Sequence, residues 1–318
     1  MTEVPVDPTL TLLFPGQGSQ SVGMLGAFAA QYPVVEATFA EASEVLGYNL
    51  WALVQQGPKE ALDETERTQP AMLAAGVATF RVWQAAGGAK PARMAGHSLG
   101  EITALTCAGV FQFSDAVKLV QYRARVMQEA VPKGTGAMAA ILGLEDTAIE
   151  AACAEAAAGE VVEAVNYNTP GQVVIAGDAA AVARAMEACK ARGAKRAALL
   201  PISVPAHSSL MRGAGELLRT RLAEVAVQPP SCEVCAIDLG RHTTPDSIRD
   251  NIVRQLYGPV RWADTVRELI LQGSTRLIEC GPGKVLTSMN RRIDRNREIV
   301  MLALEDLESL HEALSHPL

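Results

Sequence analysis

Aromatic residues are scarce in this chain of 318 residues: three tryptophans, five tyrosines and six phenylalanines make up 4% of it. A core with so few rings must be filled by aliphatic side chains and by the abundant alanine, so tightly packed helices are expected. Basic residues are in the minority, 28 Lys and Arg against 35 Asp and Glu, and a formal charge of −7 argues against nucleic acid as the main partner. Uncharged stretches such as Ile102 to Ser114 fall short of the roughly 20 apolar residues a bilayer-crossing helix needs, so no membrane span is expected. The opening MTEVPVDPTL lacks the basic and apolar regions of an export signal, and a cytoplasmic setting is expected. Cysteines are few and scattered, at 107, 153, 189, 232, 235 and 280, which in that setting implies free thiols. Only Cys232 and Cys235 have a ligand-like spacing, with His242 as the one plausible addition. Zinc takes four ligands, or three and a water, so no metal is expected.

What is present suits a globular protein: 49% hydrophobic and 20% charged residues, and length for one large domain or two unequal ones. Leu10 to Phe14 reads as a short apolar strand running into PGQGSQ at 15–20. Helical periodicity covers roughly 24–46, 71–86 and 115–130. Between the last two, ARMAGHSLGE reads as a strand, a tight turn and a helix from near Leu99 through Ala108. From Gly136 the texture changes. GAMAAILGL (strand), EDTAIEAACAEAAA (helix), VVEAVNY (strand), the turn NTPGQ, VVIAG (strand), DAAAVARAMEACKAR (helix) and KRAALLPIS (strand) follow in turn. That is βαββαβ, the ferredoxin-like order, and residues 132–203 are expected to form a small domain inserted into a large one made of 1–131 and 204–318. Helices near 208–225, 247–257 and 262–272, the strand TRLIEC and the loop GPGK complete an α/β large domain around a mainly parallel sheet.

Neither glycine-rich loop reads as a nucleotide site. GQGSQS has Ser21 where a dinucleotide fingerprint needs its third glycine, and GPGK lacks the spacing and hydroxyl of a phosphate loop. Each brings backbone close to something at a strand end.

The chemistry centres on Gly96-x-Ser98-x-Gly100, the pattern of a nucleophile elbow, with the strand–turn–helix context it requires. A serine nucleophile needs a base. His97 adjoins Ser98 and would point away across the turn; His311 and His316 lie in the terminal tail; His242 sits in the polar run GRHTTPDS, which reads as an exposed loop. His207 remains, in ISVPAHSSLM, where a strand gives way to a helix, a usual place for catalytic groups in α/β folds. A structural histidine is the alternative. No acid partner is evident: Asp238 in CAIDLG has no spacing that places it, and a backbone carbonyl could hold the ring instead. In the helix SDAVKLVQYRARVMQEA, Arg125 is expected to face water and pair with Glu129. Arg123 falls among Leu119, Val120, Val126 and Met127 on the apolar face. A guanidinium there is either bridged to a buried carboxylate or is a fork awaiting an anion.

FPGQGSQ, GHSLGE, YRARVMQEAVPKGTGAMAAI, PGQVVIAG, SVPAH, VRQLY and GPGKVL, in this order from about residue 10 to 300, together resemble the malonyl-CoA:acyl carrier protein transacylases of type II fatty acid synthesis. The resemblance implies an α/β-hydrolase-like large domain with an inserted ferredoxin-like one. It implies Ser98 as the acylated nucleophile, His207 as its base and Arg123 as the binder of the malonyl carboxylate. Backbone N–H groups of Gln17 and Leu99 would form the oxyanion hole, the main-chain carbonyl of Gln255 would orient the histidine, and Asn166 would lie in the active site. Malonyl-CoA and an acyl carrier protein are the implied partners, with no cofactor. The acidic carrier would dock on Lys190, Arg192, Lys195 and Arg196, or on Arg291, Arg292, Arg295 and Arg297. Two departures stand out: Cys235-Ala236 where an Asn-Asn pair is expected before Ile237-Asp238, and Ala206 where serine is common before the histidine. A polyketide-pathway acyltransferase and a serine hydrolase or thioesterase are the rival readings.

Overall fold

The computed structural model describes residues 4–202, 204–236 and 238–315; His316, Ser203 at the expected domain boundary and Ile237 lie outside the described residues. Among the described residues, nine strands, numbered along the chain, are β1 Val6–Phe14, β2 Lys90–Gly96, β3 Gly136–Leu142, β4 Val162–Thr169, β5 Gln172–Asp178, β6 Arg196–Leu199, β7 Glu233–Cys235, β8 Arg276–Glu279 and β9 Val300–Ala303. They form two sheets. One has five strands in the order β7-β2-β1-β8-β9, every pairing parallel.

β1 shows why that sheet must be covered on both sides. Residues 10–14 are all fully buried, which a strand with helices on only one face would not need. Side-chain alternation sends Leu10, Leu12 and Phe14 to a core shared with Met72 and Ile102, while Leu13 faces a second core with Trp262, Val266 and Leu277. Helices Thr65–Ala85 and Leu99–Cys107 cover the first face and Trp262–Leu271 the second.

The other sheet is antiparallel throughout, in the order β4-β5-β3-β6. Helices Asp146–Ala157 and Ala179–Ala191 pack on one face through Ile149, Ala152, Val182 and Ala185 against Ile141, Val173 and Ile175. The opposite face carries Met138, Val165, Val174 and Ala176 and is capped by Leu200, Ile202 and Ala206. It looks onto the C-terminal ends of the parallel strands. Val260 fastens the two layers: its N–H donates to the Val165 carbonyl (2.8 Å) and its carbonyl accepts from Tyr167 N–H (2.9 Å).

Three elements differ from the sequence expectation. The helix expected over 24–46 is two, Gly26–Ala29 and Val34–Leu46, because Pro33 has no N–H to continue the first and starts the second. The helix expected from residue 71 begins at Thr65 and runs through Pro70. The last small-sheet strand, expected over KRAALLPIS, ends at Leu199, before Pro201.

Candidate active site

β1 and β2 end side by side, with Phe14 in register with Gly96, and the chain turns sharply after Gly96 to start helix Leu99–Cys107. Ser98 occupies that turn at φ 52°, ψ −114°, a strained backbone for a residue with a Cβ. The flanking glycines make it possible. A Cβ on Gly96 would lie 1.9 Å from the Gly100 carbonyl carbon, and one on Gly100 would lie 2.0 Å from the Phe14 carbonyl oxygen. Both obstacles are backbone and cannot swing aside. Gly100→Ala is therefore expected to destabilise the protein by about 3 kcal/mol or more, read by urea unfolding, with loss of serine reactivity.

The elbow presents Ser98 Oγ 2.8 Å from His207 Nε2. The other ring nitrogen, Nδ1, lies 2.7 Å from the main-chain oxygen of Gln255. A carbonyl oxygen only accepts, so Nδ1 carries the proton and Nε2 turns its lone pair to the serine. His207 itself has φ 67°, held by its own N–H donating to the Leu256 carbonyl at 2.9 Å. Burial, then the Arg123 guanidinium, lowers its pKa to about 3 against the opposing pull of the Gln255 carbonyl. The imidazole is thus neutral, and able to take a proton, across the ordinary working range.

Arg123, on helix Phe113–Glu129, is 1% exposed. Its Nη1 donates to Gln69 Oε1 (2.7 Å), and Nη2 donates to Gln255 Oε1 (2.8 Å) and more distantly to Ser98 Oγ (3.3 Å). Nε has no partner among the described residues. The guanidinium is thus steadied by two neutral amides, with no carboxylate of the described residues in contact, and keeps donors to spare beside the serine. Burial lowers its pKa to about 10 while Glu101 opposes the shift, so it stays charged at neutral pH.

These groups line a cavity of about 180 Å³ between the parallel sheet and the inner face of the small sheet. Gln17, Leu99 and Asn166 line it as well, Gln17 from the turn after β1 and Asn166 from β4. Leu99 opens its helix, where an N–H has no intrahelical acceptor. Apolar walls come from Met138, Val174, Leu200 and Ile202 and, across from them, Val285 and Met289 of helix Val285–Ile293. Gln255 lies behind this cavity and lines a second one of about 290 Å³ with Ala236, Asp238 and Arg254. That is where one residue of the unexpected Cys235-Ala236 pair falls.

Four sequence expectations need correction. His242 is 3% exposed, not in an open loop: the bridge between Cys235 and Arg241 turns it inward, where its Nε2 lies 2.7 Å from Glu101 Oε1. His97 does not serve Ser98, but it also does not leave the site; it lines the cavity and bonds Asn168 Oδ1 at 2.9 Å. Arg125 is exposed but lies over the Tyr122 ring (5.1 Å) instead of pairing with Glu129. His311 lies on a helix, Leu307–Ser315, with its side chain outward. Asp238 pairs with Arg254 at 3.0 Å and makes no contact with His207. Sequence reasoning passed over Gln69, Asn168 and Glu101 altogether.

Residues 11–301 match the family described as acyl transferase domain. The chain is similar to the malonyl CoA-acyl carrier protein transacylase of Escherichia coli (strain K12), 59% identical over 282 residues that cover 88% of this chain and 91% of that protein. Among solved structures, it is similar to an acyl carrier protein S-malonyltransferase from Vibrio cholerae O1 biovar eltor. That likeness has a TM-score of 0.92 and 56% identity, and covers 96% of this chain and 99% of the other. A malonyl-transacylase in complex with its type II PKS acyl-carrier protein (holo) matches at TM-score 0.93 and 52% identity, over 98% of this chain and 99% of that one.

Proposed function

Because the chain belongs to the acyl transferase family, among the malonyl CoA-acyl carrier protein transacylases, we propose that it carries a malonyl group from malonyl-CoA to the phosphopantetheine thiol of an acyl carrier protein by way of a malonyl ester on Ser98. One observation carries the assignment of roles: an elbow serine, bonded to a neutral, carbonyl-oriented histidine, sits beside a buried guanidinium with donors left over. Ser98 Oγ attacks the thioester carbonyl as His207 Nε2 takes its proton. The oxyanion is met by the Gln17 and Leu99 amides, each such donor contributing about 2.7–4 kcal/mol. Coenzyme A departs as a thiol with that proton. The carrier thiol then gives its proton to His207, attacks the ester and returns Ser98 as an alcohol. The Gln255 carbonyl holds the ring throughout, as no acid is needed to fix the tautomer. Arg123 receives the malonyl carboxylate, and Asn166 lines the same cavity.

The finer description of the fold belongs to the same proposal. The parallel sheet with its elbow supports an α/β-hydrolase-like large domain, residues 1–131 and 204–318. The βαββαβ order with β3 and β5 central supports a ferredoxin-like insert over 132–203. A cytoplasmic setting goes with it.

For the carrier, the two basic clusters are not equal. Lys190 is paired with Glu187 and Arg192 with Glu155, and Arg291 donates to the Met301 carbonyl. Arg292, Arg295 and Arg297 are exposed and face no acidic partner among the described residues; the first sits on the helix whose Val285 and Met289 line the cavity. Arg292→Glu with Arg295→Glu is expected to raise KM for carrier protein roughly tenfold, as for about 1.4 kcal/mol of lost charge contacts, with kcat little changed. Reversal of Lys190 and Arg192 should do less. An unmoved KM in the first variant places docking elsewhere.

Transfer and hydrolysis are separated by what resolves the ester. Enzyme given malonyl-CoA with holo carrier protein should convert carrier thiol to malonyl thioester much faster than it releases malonate; preferential release of malonate would make it a hydrolase. The relative seen with a polyketide carrier favours a second reading of the acceptor, tested by offering fatty acid and polyketide carriers in competition.

A further inference from the structure

Arg123 is a buried cation with no acid among the described residues against it, yet an acid is close. Gln255 spans the gap: its Oε1 accepts from Arg123 Nη2 at 2.8 Å, and its Nε2 donates to Glu101 Oε2 at 2.9 Å and to the Ser98 carbonyl at 3.0 Å. Glu101, in the first turn of helix Leu99–Cys107 after the elbow, has no exposed surface, and neither does the His242 side chain on its other oxygen. The state of His242 follows from its neighbours. Asn251 Nδ2 points at His242 Nδ1 (3.5 Å) and at the Arg241 carbonyl (3.3 Å), while its Oδ1 accepts from Arg254. An amide nitrogen only donates, so Nδ1 is the acceptor and Nε2 carries the single ring proton, given to Glu101. Beyond Gln255, the Glu101 carboxylate favours the charged form of the guanidinium.

We propose that Glu101 is a positioning residue, the counter-charge of Arg123 held one amide away, which lets the cation be buried while leaving the donor's carboxylate as the first anion to touch it. Two demands conflict at such a site. A buried guanidinium needs a compensating charge nearby, but a carboxylate directly on it would occupy the fork that must bind substrate. Gln255 resolves the conflict by carrying hydrogen bonds and no charge, and the same residue's main-chain oxygen holds His207, so the anion seat and the base share one support. The inference rests on the reading of Arg123 as the seat of the malonyl carboxylate.

The test moves the charge without changing the atoms present. In the double variant Glu101→Gln with Gln255→Glu, acid and amide trade places and the carboxylate lands on Arg123. The ratio of kcat/KM for malonyl-CoA to that for acetyl-CoA is expected to fall at least tenfold. Glu101→Gln alone removes the charge from behind Arg123, and its ratio should rise above that of the unaltered enzyme. A strut with no electrostatic role would not give these opposite signs. A double variant that keeps the full ratio, or a single variant whose ratio does not rise, overturns the inference; if the double variant does not fold, the single one decides. Lack of malonyl preference in the unaltered enzyme would instead overturn the functional reading, and the inference with it.

Discussion

Arg123→Ala should lower kcat/KM for malonyl-CoA by roughly 10²–10⁴, because two charge-assisted hydrogen bonds of about 1.5–3 kcal/mol each are lost at the transition state. The substrate carboxylate would then enter a cavity walled by Met138, Val174 and Leu200 with no cation to meet it. Acetyl-CoA has no carboxylate to strand, so its rate should fall far less and the malonyl-to-acetyl ratio should collapse. Arg123→Lys keeps the charge but reaches neither both amides nor both carboxylate oxygens, and should recover only part of the loss. A ratio unchanged in Arg123→Ala would make Arg123 a purely structural cation.

The second large effect is at His207. Its replacement by alanine should slow acylation and carrier loading together, by roughly 10²–10⁴, since one nitrogen serves both half-reactions. The pH dependence separates this from a packing defect. The folded-state pKa is depressed to about 3 from the ordinary 6.5, so the neutral, active form persists as pH falls through 6.5 and is lost only on approach to 3. The acylation rate should therefore show no inflection near 6.5 while the fold survives. Arg123→Ala removes a charge that depresses this pKa, so in that variant the acid limb should move upward. An inflection at 6.5 in the unaltered enzyme would mean that the ring is solvated and not held as described.

What was readable in the sequence follows from range. The elbow is local: Gly96, Ser98 and Gly100 are fixed by one turn, and the crowding that demands glycine is met within a few residues and the neighbouring strand. The alternation of β1 between two cores, and the strand–helix order of residues 136–199, are local too. His207 could be reached because the other histidines sat in poorer settings. The support behind Arg123 could not. Gln69 and Gln255 meet it from 54 and 132 residues away, and Glu101 meets Gln255 across 154. Each is a polar residue on a helix, indistinguishable in sequence from one facing water. His242 misled for the same reason: GRHTTPDS has the composition of a loop, and only the fold of the chain back onto Cys235 brings that ring to Glu101.

The central claim is that Ser98 carries the malonyl group between two thiols, and intact mass tests it most directly. Enzyme mixed with malonyl-CoA alone should gain the mass of one malonyl group, mapped by peptide digestion to Ser98, and lose it on addition of holo carrier protein as the carrier gains it. Ser98→Ala should gain nothing. An adduct on any cysteine, or carrier loading with no adduct on Ser98, would contradict the account.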